Sequence, residues 1–504
     1  MIKTRLIWMG FMLVLIGVAT VGVRHSDRFL AAKKEKERIE EQEKNLFNFT
    51  GDEVIRISLT REGETIVAER REENWRIVRP IQAVGDESGW NSLTRTLAGV
   101  RIQTEIEAAS GLADFGLEDP CIRVAMIVKG SSREHTLLIG DKTQTGDEYY
   151  VKTEDSPRVA TAYSHIHNTA DKSLFDLRDR HLMEFDQKDP ERFEIMGMNG
   201  FLLAFDTFDP KDYVMVRPRR VKADEGKVNG LLSQVKGRDI AFFGPESPTG
   251  EQLEAYGLAD PATHVIVGFG KGAAARETAL LIGSASEYDG FAHYWAKRER
   301  AENVFLIPER IAKNLTKDPA ELRCERLAKM KSWEIEDLVV ERKGKDTIHV
   351  RKDQDGNWKM KSPQEAEGDS DGVRDFVGFF SNVSGGYKIK DYIFDVKDLS
   401  EYGLSDPPYV VTFKAGEWQE SFTASDLTET QPEGSSKTVN RVYAQWVGFP
   451  ELVLEMEVTH PILTQLNKPA WRFGDIPKPT PTVEPSPPPS STPSKAAAPP
   501  ADSR

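Results

Sequence analysis

The phrase aromatic-Gly-Leu-x-Asp-Pro occurs three times in this chain, and it constrains the fold more tightly than any compositional figure. Phe115-Gly116-Leu117-Glu118-Asp119-Pro120, Tyr256-Gly257-Leu258-Ala259-Asp260-Pro261 and Tyr402-Gly403-Leu404-Ser405-Asp406-Pro407 stand 141 and then 146 positions apart. A period of that length is the size of a globular domain, well beyond the roughly 20–50 residues of a solenoid repeat, so it implies duplicated domains in tandem. The flanks repeat too. A proline precedes an aspartate by six residues at Pro80 and Asp86, Pro218 and Asp224, and Pro363 and Asp369. Trp75 and Trp358 stand ahead of that proline in the first and third stretches, with Val214 or Met215 in the middle one. Leu138-Ile139-Gly140 and Leu281-Ile282-Gly283 follow the phrase, whereas the third stretch offers only Phe422-Thr423-Ala424. An aromatic segment comes next at Tyr150, Trp295 and Tyr443, and each stretch closes on an arginine, Arg178, Arg323 or Arg472.

Within one stretch, residues 54–59, 65–68 and 75–78 are short β-branched runs split by turn residues, which predicts a strand meander. Asp86 then precedes Trp90, Leu93, Leu97 and Val100 at helical spacing, so Asp86, Asp224 and Asp369 read as helix caps. Residues 122–128, 135–139, 149–152 and 159–163 predict further antiparallel strands, with a helix leading to Arg178. The expected fold is α+β, a mostly antiparallel sheet with two packed helices, repeated as units 46–185, 186–330 and 331–475. The glycine of the phrase is expected to end a helical turn in the left-handed conformation, and its Asp-Pro to start the next strand.

This ordered set of residues resembles a bacterial family known as domain of unknown function 4340 (DUF4340), over about residues 46 to 476. The resemblance implies a membrane-anchored protein in the company of ABC-type transport or gliding-motility components; it implies no reaction. The departure in the third stretch argues against a shared ligand site in that copy.

The two ends carry different signals. Residues 6–23 are uncharged and long enough to span a hydrocarbon core as a helix. Because that run exceeds a usual signal-peptide core and lacks a small-x-small cleavage pattern, residues 1–23 are expected to be an uncleaved transmembrane anchor. Arg24, Arg28, Lys33, Lys34 and Lys36 outnumber Lys3 and Arg5, which by the positive-inside rule alone opposes export. Long domains translocate largely regardless of charge, and with the family resemblance the expectation is a single pass in the bacterial inner membrane with the bulk of the chain extracytoplasmic. Residues 24–45 read as a charged helical stalk, and the Pro, Ser and Ala-rich residues 476–504 as a disordered tail.

A formal charge of −14 opposes binding to phosphate backbones, so nucleic acid is not an expected partner. Two cysteines, Cys121 and Cys324, make no disulfide framework and read as free thiols. Gly268-Phe269-Gly270-Lys271-Gly272 lacks the full phosphate-loop pattern and maps onto a hairpin turn. His165 and His167 would share a face if their stretch were a strand, but no third metal ligand is apparent. Arg178, Arg323 and Arg472 are expected in structural ion pairs with a carboxylate, for which Asp119, Asp260 and Asp406 are candidates; anion capture is the alternative. No catalytic residue, cofactor or metal is assigned. The expected function is a membrane-anchored scaffold or accessory subunit beside an ABC-type permease or ATPase or a gliding-motility complex. The rival is an envelope hydrolase or glycan-binding protein with a carboxylate-bearing cleft between units.

Overall fold

A computed structural model describes residues 44–106, 111–144, 146–185, 190–197, 202–207, 213–270, 276–382, 386–430, 439–457 and 460–478. The first sheet contains β1 (Val54–Arg61), β2 (Glu64–Arg71), β3 (Asn74–Arg79), β4 (Ala83–Val84), β5 (Thr104–Ile106), β6 (Ile122–Val128), β7 (Glu134–Lys142), β8 (Glu148–Thr153) and β9 (Val159–Tyr163). Their order across the sheet is β4-β3-β2-β1-β6-β7-β8-β9-β5. The second sheet, from Arg192–Gly197 to Phe305–Pro308, and the third, from Asp337–Arg342 to Leu452–Met456, each have nine strands. Counted from its own first strand, each follows the same order. The fold is therefore α+β and mostly antiparallel sheet.

Alternation along the strands explains why one sheet has two cores. Leu137 and Ile139 of β7 join Ile57, Ile66, Trp75 and Val124 on one face, under the helix Glu87–Ala98. That helix contributes Trp90, Leu93 and Leu97, and Trp90 stacks on Trp75 with ring centroids 5.7 Å apart. Leu138, one residue out of phase, points to the opposite face and meets Phe115, Leu117 and Val159. The aromatic and leucine of the repeated phrase thus anchor a second, smaller core. In the third sheet Tyr402 and Leu404 do the same beside Tyr443 and Val453.

The chain divides into two compact units, Met1–Leu202 with Asn229–Lys317, and Leu203–Val228 with Asp318–Arg504. Among the described residues no helix is long and apolar enough to cross a membrane. The expected anchor at 1–23, residues 24–43 of the expected stalk and residues 479–504 of the expected tail lie outside the described residues.

Candidate functional site

The recurrent residues occupy matching places. Gly116, Gly257 and Gly403 have φ of 65°, 65° and 66°, the left-handed conformation that ends each short helical turn. Leu117, Leu258 and Leu404 are buried behind them. Asp119, Asp260 and Asp406 are exposed ahead of Pro120, Pro261 and Pro407, and Asp406 ion-pairs with Lys343. Pro80, Pro218 and Pro363 each follow a cis peptide bond. The carboxylates of Asp86, Asp224 and Asp369 accept backbone N–H bonds from the first turn of their helices, as the cap reading expects.

The segment that closes each sheet returns to the residue just ahead of that cap. The Asp86, Asp224 and Asp369 amides donate to the carbonyls of Leu177, Leu322 and Phe473, each at 2.8 Å. Bridges then join Gly85 to Arg178, Ala223 to Arg323, and Gly368 to Gly474. Gly474 therefore holds the position of Arg178 and Arg323. Arg472 lies two residues earlier in the turn Ala470–Arg472, exposed, with its guanidinium over Trp471.

None of the three phrase aspartates meets its arginine among the described ion pairs. In the first compact unit, Arg178 donates from Nη1 and Nη2 to the two Glu246 carboxylate oxygens at 2.7 and 3.2 Å, with its guanidinium 3.6 Å from the Phe243 ring centroid. Burial pushes this guanidinium's pKa down while the Glu246 bond opposes it. The following linker is gripped from the second sheet: Arg298 donates to the Leu182 carbonyl at 3.2 Å and to Asp179 at 3.0 Å. Burial would raise the Asp179 pKa, but bonds with Glu184 and His181 and the Arg298 charge hold it below the ordinary carboxylate range. A cavity of about 520 Å³ opens here, lined by Arg71, Arg76, Arg178, Arg298, Asp179 and Glu246 among others.

The second compact unit repeats the device with different chemistry. Arg323 stacks over Tyr392 and Phe394. Trp446 occupies the register position of Arg298, since Ala296 pairs with Ile282 and Ala444 with Ala424. Its indole N–H donates to the Leu327 carbonyl at 3.1 Å, where Arg298 holds Leu182. A buried ion pair, Lys222 Nζ to Glu420 Oε1 at 2.7 Å, fills the space beside it. The second Glu420 oxygen accepts the Lys329 and Met330 amides at 2.7 and 3.2 Å. Cys324 is fully buried and its thiol pKa is pushed up by that burial. Both cysteines are free, as expected.

The chain matches the family described as Domain of unknown function (DUF4340) over residues 75–209 and 214–431, which takes in the first grip and the second as far as Glu420, with Trp446 beyond its end. The chain belongs to the DUF4340 family. No curated protein matches it. Among solved structures, it aligns with the DnaN sliding clamp (DNA polymerase III subunit beta) from Pseudomonas aeruginosa bound to griselimycin, at 9% identity over 82% of this chain and 93% of that one. The TM-score is 0.15, too low for the likeness to carry any argument.

Two further motifs of this DUF4340 chain resolve into local structure. His165 and His167 lie in the helix His165–Ala170, not on a strand, and His167 stacks on Tyr149 at 4.3 Å. Both histidines fall after the strand Val159–Tyr163, where the sequence predicts the helix that leads to Arg178. Gly268 and Phe269 pair antiparallel with Glu277 and Arg276, so the glycine-rich stretch leads into a hairpin whose residues 271–275 lie outside the described ones. Gly140 and Gly283 are legible in the sequence only as repeated letters: a Cβ there would collide with the carbonyl oxygen of Phe115 or Tyr256, so glycine lets the phrase's turn rest on the strand. Among the described residues no group of three or more His, Cys, Asp or Glu is placed to hold a metal.

Proposed function

We propose that the three sheets are three tandem copies of one DUF4340 domain, and that the protein is a membrane-anchored, extracytoplasmic scaffold or accessory subunit. What carries the reading is that the recurrent glycines, capping aspartates and closing amides have mechanical places: Gly116, Gly257 and Gly403 in turns, Asp86, Asp224 and Asp369 in caps, and a 2.8 Å amide seal closing each sheet. A fold needs its turns and seals in each copy, whereas one active site needs one constellation. The ABC-type permease or ATPase, or the gliding-motility complex, is proposed as company on the family resemblance and on the apolar run at 6–23. Linked domains tethered to one bilayer gain effective concentration for a partner embedded beside them. Extraction of the full chain in mild detergent should recover permease or ATPase subunits with it. Recovery of the chain alone, or a C-terminal reporter active only in the cytoplasm, would remove this reading.

The cavity in the first compact unit favours a second reading, a glycan-binding protein or hydrolase. Turnover of a glycan by the purified protein, lost on replacing Asp179 or Glu246, would put that reading in place of the scaffold.

A further inference from the structure

The same grip is built twice, and only one of the two is left open and basic. In the first compact unit the cavity of about 520 Å³ is faced by four guanidiniums, Arg71, Arg76, Arg178 and Arg298, against the carboxylates of Asp179 and Glu246. Four guanidiniums thus face two carboxylates on the cavity wall, in a chain whose formal charge is −14. Arg178 and Arg298 are committed to Glu246 and Asp179. Arg76, exposed on β3, lies within electrostatic reach of Glu184 but makes no ion-pair contact among the described residues. Among the described residues, Arg71, at the end of β2, ion-pairs with Glu69 alone, at 3.4 Å.

The second compact unit shows that the opening is not a geometric necessity of the grip. Register places Val214 where Arg76 stands, because Arg76 pairs with Val84 and Val214 with Lys222, so that Tyr213, and not Val214 or Met215, holds the place of Trp75. Trp446 replaces Arg298, Cys324 replaces Asp179, and the Lys222–Glu420 pair fills the space. The cavity there is about 250 Å³, and its arginines are already engaged: Arg219 with Asp395, and Arg220 with the Gly448 carbonyl and the Phe449 ring.

We infer that the cavity of the first compact unit is a binding site for a small organic or inorganic polyanion bearing phosphate or clustered carboxylate oxygens, with Arg76 and Arg71 as its recognising cations. The volume falls in the usual range for small-ligand sites, and guanidiniums match such oxyanions in bidentate geometry. Arg178 and Arg298, fixed by their carboxylates and by Phe243, form the rigid wall against which the ligand is held.

The test is calorimetric titration of the full detergent-solubilised chain, at fixed ionic strength, with inorganic phosphate, inorganic pyrophosphate and citrate. Saturable 1:1 binding of pyrophosphate or citrate is expected, and which of them binds more tightly distinguishes a phosphate from a carboxylate ligand. Arg76→Gln should weaken that binding at least tenfold, and Arg219→Gln in the second cavity should leave it unchanged. Arg76 is exposed, so its variant should melt as the parent does; Arg71→Gln gives a second reading at the rim. Absence of saturable binding by all three anions, or equal affinity in the parent and both first-cavity variants, would overturn the assignment.

Discussion

Single residues carry most of what recurs. Gly257 shows why: its φ of 65° disfavours any side chain, and a Cβ there would clash with Ser284 Oγ and sit 2.9 Å from the Ser284 amide nitrogen. Gly257→Val should therefore cost more than the roughly 1–2 kcal/mol of the left-handed conformation alone, measured as a fall in the denaturant midpoint. Gly403 has nearly the same φ, 66°, but a roomier neighbour, Ser425 Cβ at 3.3 Å, so Gly403→Ala should cost only about the conformational amount. Ser425 follows Ala424 where Gly140 and Gly283 follow Ile139 and Ile282, which is the physical content of the third stretch's departure. The cysteines differ in exposure, since both thiols are pushed up in pKa, Cys121 by partial burial and the Asp141 charge and Cys324 by full burial. Cys121 is exposed and Cys324 buried with its thiol pushed up in pKa, so a thiol reagent near neutral pH should modify Cys121 in the folded protein and Cys324 only after denaturation. Equal labelling rates in the native state would contradict the burial.

Elements are held by caps and by the grips on their linkers. Asp369 caps its helix through the amides of Asp371 and Gly372, and Asp369→Ala should cost about 1 kcal/mol. Asp86 bonds to the Gly89 amide and also pairs with Arg238 at 2.6 Å, largely out of solvent, so Asp86→Ala should cost more than Asp369→Ala in the same unfolding assay. The Lys222–Glu420 pair is a sharper case, with side chains only 7% and 2% exposed. Lys222→Met leaves a buried carboxylate without its ion-pair partner and should destabilise by about 3–5 kcal/mol. Adding Glu420→Gln should restore part of that loss, because an amide oxygen can still accept the Lys329 and Met330 amides without a charge. A double variant no more stable than Lys222→Met would show that the charge was not the source of the loss.

At the scale of the whole molecule, the first and third sheets each lack gripping residues that the two seams use. The position of Phe243 and Tyr392 is Glu105 in the first sheet, where it pairs with Arg158 at 3.2 Å. The position of Arg298 and Trp446 is Thr153, and the position of Arg178 and Arg323 in the third sheet is Gly474. On the proposed reading of three tandem copies, Glu105 and Thr153 leave the first sheet without the aromatic and the arginine that a further grip would use, and Gly474 leaves the third without its arginine. Sedimentation of the solubilised chain should accordingly show no concentration-dependent head-to-tail growth. Open-ended association would mean that some other surface joins copies.

Local conformation was legible in the sequence because local chemistry sets it. Glycine after an aromatic at the end of a turn, aspartate ahead of an apolar helical stripe, and β-branched runs between turn residues specify backbone shape over a few positions; β6 and β9 lie where alternation placed them. The two-residue β4 and three-residue β5 carry too little pattern to be read and exist because β3 and β9 offer them edges. What the arginines would meet was not legible at all. Arg178 found Glu246, 68 residues later in the chain, instead of the Asp119 of its own phrase, because its carboxylate comes from whichever surface packs against the closing segment. The same holds for Gly474 in the place expected of Arg472, for Trp446 standing in for Arg298, and for the basic cavity: register and packing over long separations decided them, and composition or spacing carries no trace of either.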